Sequence, residues 1–167
     1  MNKTSLVQCD DQIMEQGGFA FRRKRLGAAA GGKGIGASWF ELQPGQKAFP
    51  FHFHLANDEA VFVLEGEGTL RLGEEEHSLR AGDYVTFPPG PPGHQIINRS
   101  QAPLRYLAIS TMREPEVAVY PDSRKVGVLA RGHGIMSVHR QATPSTTTMA
   151  RSDGRDAFRR AEHAGRG

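Results

Sequence analysis

Between Trp39 and Thr111 the chain never runs far without a turn signal, and this rhythm limits the folds open to it. Short apolar and β-rich runs cover residues 37–42, 48–53, 60–64, 69–72, 84–87, 95–97 and 104–110. Between them stand Pro44-Gly45, Gly66-Glu67-Gly68, Gly73-Glu74, Ala81-Gly82-Asp83 and the Pro/Gly cluster at 88–93. Glycine supplies the positive φ that tight turns need, and proline pre-sets the turn dihedral. Seven or eight short strands separated in this way predict an all-β sandwich or barrel, and no helical periodicity competes with it here. Phe19 and Phe21 alternate with small or basic neighbours and predict a first edge strand, followed by a Gly/Ala-rich connector over 27–36.

Outside the patterned region the chain reads differently. Residues 1–17 are polar and form an N-terminal extension, 18–129 hold the barrel with a last strand near 126–129, and 130–140 read as irregular. Residues 141–167 are rich in Thr, Ser, Arg and Gly and contain no Leu, Ile or Val. Such a segment buries too little apolar area to offset its ordering entropy, so a disordered tail is expected. No apolar run approaches the roughly 20 residues that span a bilayer, no secretion signal opens the chain, and Cys9 is the only cysteine. A reduced cytoplasmic setting and no membrane partner are the expectations. The net charge of +3 comes largely from residues 22–25 and the arginines after 150. No aromatics are interleaved with these charges, so nucleic acid is not an expected partner.

Four groups with metal-binding chemistry fall in two sets. Six residues separate Gly45 from His52, one separates His52 from His54, four lead to Glu59, and six more to Gly66. The second set runs Gly82, Pro88, Gly90, His94 and Asn98, with 15 residues between Gly66 and Gly82, room for one hairpin. Side chains two apart on a strand share a face, so His52 and His54 can both enter a barrel. Residues 55–58 can bend the chain so that Glu59 returns on the neighbouring strand, and the glycines allow the turns that bring His94 across. Three imidazoles and a carboxylate suit one divalent first-row ion: Fe, Mn, Ni, Zn or Cu.

These two sets resemble the motifs of the cupin family in order and residue type. The first has one residue more than the commonest form between Gly45 and His52, and the second has three residues, Pro91-Pro92-Gly93, before His94 where two are usual. The resemblance implies a double-stranded β-helix, or small jelly roll, with metal ligands His52, His54, Glu59 and His94. The longer stretch 21–111 is similar to small bacterial single-domain cupins, including ones compared with sugar-phosphate isomerases.

Other positions are weaker candidates. Phe51, Phe53 and Phe87 are expected to wall a substrate pocket, Asn98 to reach the barrel interior, and the Tyr106 hydroxyl to serve acid–base chemistry. Gly27 to Gly34 falls short of a phosphate-binding loop, because Gly34 stands where a hydroxyl should follow Lys33. His77, beside three glutamates, reads as a solvated turn residue. The expected activity is metal-assisted catalysis on a small organic molecule, either isomerisation of a sugar-like compound or dioxygen-dependent oxidation. The alternative is a non-catalytic small-molecule-binding protein or a sensor. A homodimer is expected, with residues 19–25 as the pairing edge.

Overall fold

The computed structural model describes residues 2–141. The expected disordered tail lies outside the described residues from position 142 onward. The chain forms β1 (Gln12–Gln16), β2 (Phe19–Lys24), a one-turn helix α1 (Leu26–Ala29), β3 (Ile35–Leu42), β4 (Phe53–His54), β5 (Glu59–Glu65), β6 (Glu67–Leu72) and β7 (Glu75–Arg80). It continues with β8 (Tyr84–Phe87), β9 (His94–Ile97), β10 (Leu104–Thr111), β11 (Glu116–Tyr120), β12 (Lys125–Ala130) and β13 (Ile135–Arg140).

One layer is a six-stranded antiparallel sheet in the order β1-β2-β3-β10-β5-β8. The other consists of β13-β12-β11-β4 and β7-β6-β9, joined by backbone bridges Lys47↔Ile97 and His52↔His94. The non-sequential order, with β10 between β3 and β5, is the crossover of a double-stranded β-helix, the fold that the cupin-like motifs implied and one form of the all-β barrel expected from the turn rhythm. Alternation sorts each strand. On β5, Val61 and Val63 face inward with Glu59, while Phe62 and Leu64 are exposed. Leu42, Leu70, Leu79, Ile96 and Leu104 complete the core with an aromatic group of Phe21, Phe40, Phe49 and Tyr106. Burying side chains of this size contributes about 1.5–3 kcal/mol each. Gly66 lets β5 turn into β6: its φ is +85°, and a Cβ there would collide with the Pro103 carbonyl oxygen.

Several expectations need correction. The polar segment before residue 17 contains β1, which pairs with β2 through a Gly17-Gly18 turn. Strand β2 is therefore covered on both sides, by β1 and β3, and is not the free edge that was expected to pair in a dimer. Residues 130–140, read as irregular, hold a 3-10 turn and β13. Both β1 and β13 escape a pattern search because their side chains are almost all exposed; backbone pairing makes them strands. His77 is exposed as expected but lies on β7, opposite Leu70, rather than in a turn. The aromatic run 48–53 is mostly irregular, with only Phe53 in a strand.

Candidate metal centre

The histidines and the glutamate come from opposite layers. His52 and His94 face each other across an antiparallel bridge, with reciprocal N–H···O bonds of 3.1 and 2.8 Å. A directly opposed pair puts both side chains on one face, and their ring centroids are 4.6 Å apart. His54 follows on β4, held by its pairing with Ala118 of β11. Glu59 opens β5 in the six-stranded sheet and reaches across the interior. The expectation that Glu59 would return on the strand next to His54 is thus corrected: the bend at 55–58 carries the chain to the other layer.

All three imidazoles aim Nε2 at one oxygen. Glu59 Oε2 lies 3.2 Å from His94 Nε2, 3.4 Å from His54 Nε2 and 4.0 Å from His52 Nε2. Donor atoms of His52, His54 and Glu59 fall within 4.8 Å of one another. His94 stands outside that tightest trio yet makes the shortest approach to the carboxylate. The His52 Nδ1–H donates to the Pro50 carbonyl at 2.8 Å, which leaves Nε2 as a lone pair. Burial, and then the neighbouring His94, push the His52 pKa down to about 4 against the pull of Glu59, so this ring is neutral at pH 7. Burial alone would raise the Glu59 carboxyl, but the His94 hydrogen bond and the surrounding imidazoles outweigh it and lower its pKa.

Lone pairs and a carboxylate converging in a half-closed space fit a cation. Metal–ligand bonds of about 2.1 Å place neighbouring donors about 3.0–3.4 Å apart and opposed ones about 4.2 Å apart, and the three distances from Glu59 Oε2 to the imidazole nitrogens fall in that range. The Nδ1 atoms of His54 and His94 are buried without a hydrogen-bond partner in the described structure. Imidazole and carboxylate together suit a first-row divalent ion. The chemistry of these donors fits such a metal.

Residues 38–110 match the Cupin domain family. A sugar phosphate isomerase from a cupin superfamily, from Silicibacter pomeroyi, is 32% identical, with a TM-score of 0.76 over 87% of this chain and 97% of that one. The chain belongs to the cupin superfamily. Two curated relatives match locally. An uncharacterized protein of Methanocaldococcus jannaschii is 36% identical over 59 residues, and quercetin 2,3-dioxygenase of Bacillus subtilis is 37% identical over 78. The matches cover 35% and 44% of this chain, and only 46% and 23% of those relatives.

Within this cupin the weaker site candidates separate. Phe87 pairs with Glu59 and stacks on His94 at 3.8 Å between centroids, which places it beside the candidate metal centre. Phe51 points away from His52: its ring packs against Gly93, where a Cβ would meet it at 2.8 Å, and beneath the Arg71 guanidinium at 3.8 Å. Phe53 lies between the two histidines on an extended segment, so alternation turns it from their face. Asn98 is fully buried but structural. It donates to the carbonyls of Leu42 and Ala102 and accepts from Ser100, so its polar capacity is used in the turn before β10. Tyr106 is inside the barrel, stacked on Phe40 at 5.2 Å. Burial, then the Glu59 charge, push its phenol above the ordinary value, which favours the protonated form.

Sequence reasoning passed over four residues. Phe49 lies edge-on to His52, and Tyr120 stacks over the same ring at 6.0 Å. Glu116 and Asn57 are buried behind His54, and Asn57 donates to the Glu116 carboxylate. A lone acid heading the apolar run Glu116-Val117-Ala118-Val119 was the available signal.

Proposed function

We propose that this cupin is a metal-dependent isomerase of a small sugar-like substrate. The observation that carries the reading is the convergence of three Nε2 atoms on Glu59 Oε2 from two layers. The 32% identity to a sugar phosphate isomerase over nearly the whole of that chain supports the choice of reaction class. His52, His54, Glu59 and His94 would hold one divalent ion. When bound, it supplies a Lewis acid that polarises a ligand oxygen. Phe87 and Phe49 keep water from one side of the site. Tyr106, protonated within the core, can donate a hydrogen bond but not take a proton. Glu59, engaged as a ligand, leaves proton transfer to another group. The 37% match to a quercetin 2,3-dioxygenase favours dioxygen chemistry as the second reading.

The test begins with metal analysis of protein purified without chelator or a histidine tag. The loaded protein is then incubated anaerobically with aldose and ketose phosphates and followed by NMR. Interconversion supports the isomerase. Oxygen uptake with an aromatic or enediol substrate would replace it with the oxygenase, and tight ligand binding without turnover would leave a binding protein. The chain is also proposed to work as a homodimer; light scattering at micromolar concentration would refute this by giving the monomer mass. The open edge available for pairing on that side is β1.

A further inference from the structure

The residues behind His54 form a connected group that the cupin motifs do not include. Glu116 lies outside the matched stretch, at the head of β11, and is 1% exposed. Its Oε1 accepts backbone N–H bonds from Val117, Leu55 and Ala56 at 2.7, 3.1 and 3.2 Å. Its Oε2 accepts from the Asn57 side chain and lies 3.7 Å from His54 Nδ1. Asn57 is itself held, donating to the Arg113 carbonyl and accepting from the Arg113 N–H and the Thr111 hydroxyl. Leu55, Ala56 and Asn57 are the residues that connect His54 to Glu59. One carboxylate therefore ties down the loop between two proposed ligands and stands behind one of them.

The contacts decide which way a proton on His54 should face. Every group touching Glu116 offers it an N–H, which only an acceptor on both oxygens can use. A lone pair on His54 Nδ1 facing that carboxylate is repulsive, while an N–H there is attractive. At 3.7 Å the two are beyond hydrogen-bond length, but His54 Nδ1 is buried and no other partner among the described residues competes for it. His52 has its own acceptor, the Pro50 carbonyl. We propose that Glu116 is a positioning residue: it keeps the neutral His54 proton on Nδ1, so that Nε2 presents a lone pair to the metal, and it fixes the loop to Glu59. The second half of this inference rests on the metal reading above; the first half does not.

The experiment uses the full chain. Nitrogen-15 NMR of the metal-free protein at mildly basic pH reports which ring nitrogen of His54 carries the proton. The expected result is Nδ1–H, and Nε2–H would overturn the proposal. The variant Glu116→Gln sharpens the test. Its amide oxygen must take the three backbone N–H groups, which turns the NH2 toward His54 Nδ1 and removes the acceptor for the Asn57 amide. That donor should drive the proton to Nε2 and weaken cobalt(II) or zinc(II) binding by about 10- to 100-fold. A folded Glu116→Gln protein with wild-type tautomer and wild-type affinity overturns the proposal. If the variant fails to fold, the tautomer in the unmodified chain decides. If the unmodified chain binds neither metal, the proposed function falls, while the tautomer still judges the role of Glu116.

Discussion

His52, one of the four proposed ligands, has its Nδ1–H held by a carbonyl, and its Nε2 has no proton to lose near pH 7. His52→Ala should remove bound metal, measured by elemental analysis, whereas His77→Ala on the exposed face of β7 should leave it at full occupancy. Retention in His52→Ala would refute the ligand set. A second prediction concerns Glu41, which is 5% exposed and bridges Arg22 at 2.8 Å and Arg105 at 2.7 Å. Burial alone would raise its pKa, but the Arg105 hydrogen bond and the two arginine charges outweigh it and lower the value below 4.5. A depressed carboxyl stabilises the fold above its unfolded pKa, and this contribution is lost as pH falls through the folded pKa. Glu41→Gln should therefore cost about 2 kcal/mol at pH 7, a modest figure because the arginines are partly exposed and solvent-screened, and less at acid pH, as the pH falls through the depressed pKa of Glu41. Urea denaturation at the two pH values checks it; an equal cost at both would show that packing, not charge, is at stake.

At the scale of elements, the turn from β9 to β10 has one polar clasp. Asn98 bonds to Leu42, Ala102 and Ser100 from a position with no solvent access. Asn98→Ala should leave the buried Leu42 carbonyl without its Asn98 donor and the Ser100 N–H without its acceptor, and cost about 1–3 kcal/mol in urea unfolding. Metal content should be unchanged, and a loss of metal with little loss of stability would return Asn98 to the site. Strand β7 illustrates why some elements are hidden from a pattern search. Of Glu75 to Arg80 only Leu79 is buried, so no alternation is visible, yet β7 pairs with β6 along its whole length. Conversely the aromatic run 48–53 looks like a strand but is bent, bringing His52 to His94 while Phe51 is buried against Gly93 beneath Arg71.

For the whole molecule, the position of the four proposed ligands has a thermodynamic consequence. His52, His54 and His94 belong to one layer and Glu59 to the other, so an ion held by all four would cross-link the sandwich. A ligand that binds only the folded state stabilises it by about 4 kcal/mol at a concentration 1,000 times its Kd. Removing the metal with a chelator should lower Tm by about 10 °C for a domain of this size. Calorimetry with and without chelator tests this, and an unchanged Tm would argue that these residues hold no ion in the folded state. Among the described residues no helix is long and apolar enough to cross a membrane.

Local chemistry alone was enough to define an all-β class of fold and to propose a set of metal-binding side chains. Turn residues mark where strands end, and a one-residue gap between His52 and His54 puts both on one face wherever the segment is extended. These are short-range properties of the backbone, carried by neighbouring residues. The registers of paired strands decided the rest. They set His52 opposite His94, placed Glu59 on the far layer, put Phe51 under Arg71 and Phe87 against His94, and brought Glu116 behind His54 across 62 positions of sequence. A register depends on which strands meet, and shifting it by one residue exchanges the faces of every side chain. That choice is made by burial and pairing across the whole barrel, so no single segment of the sequence contains it.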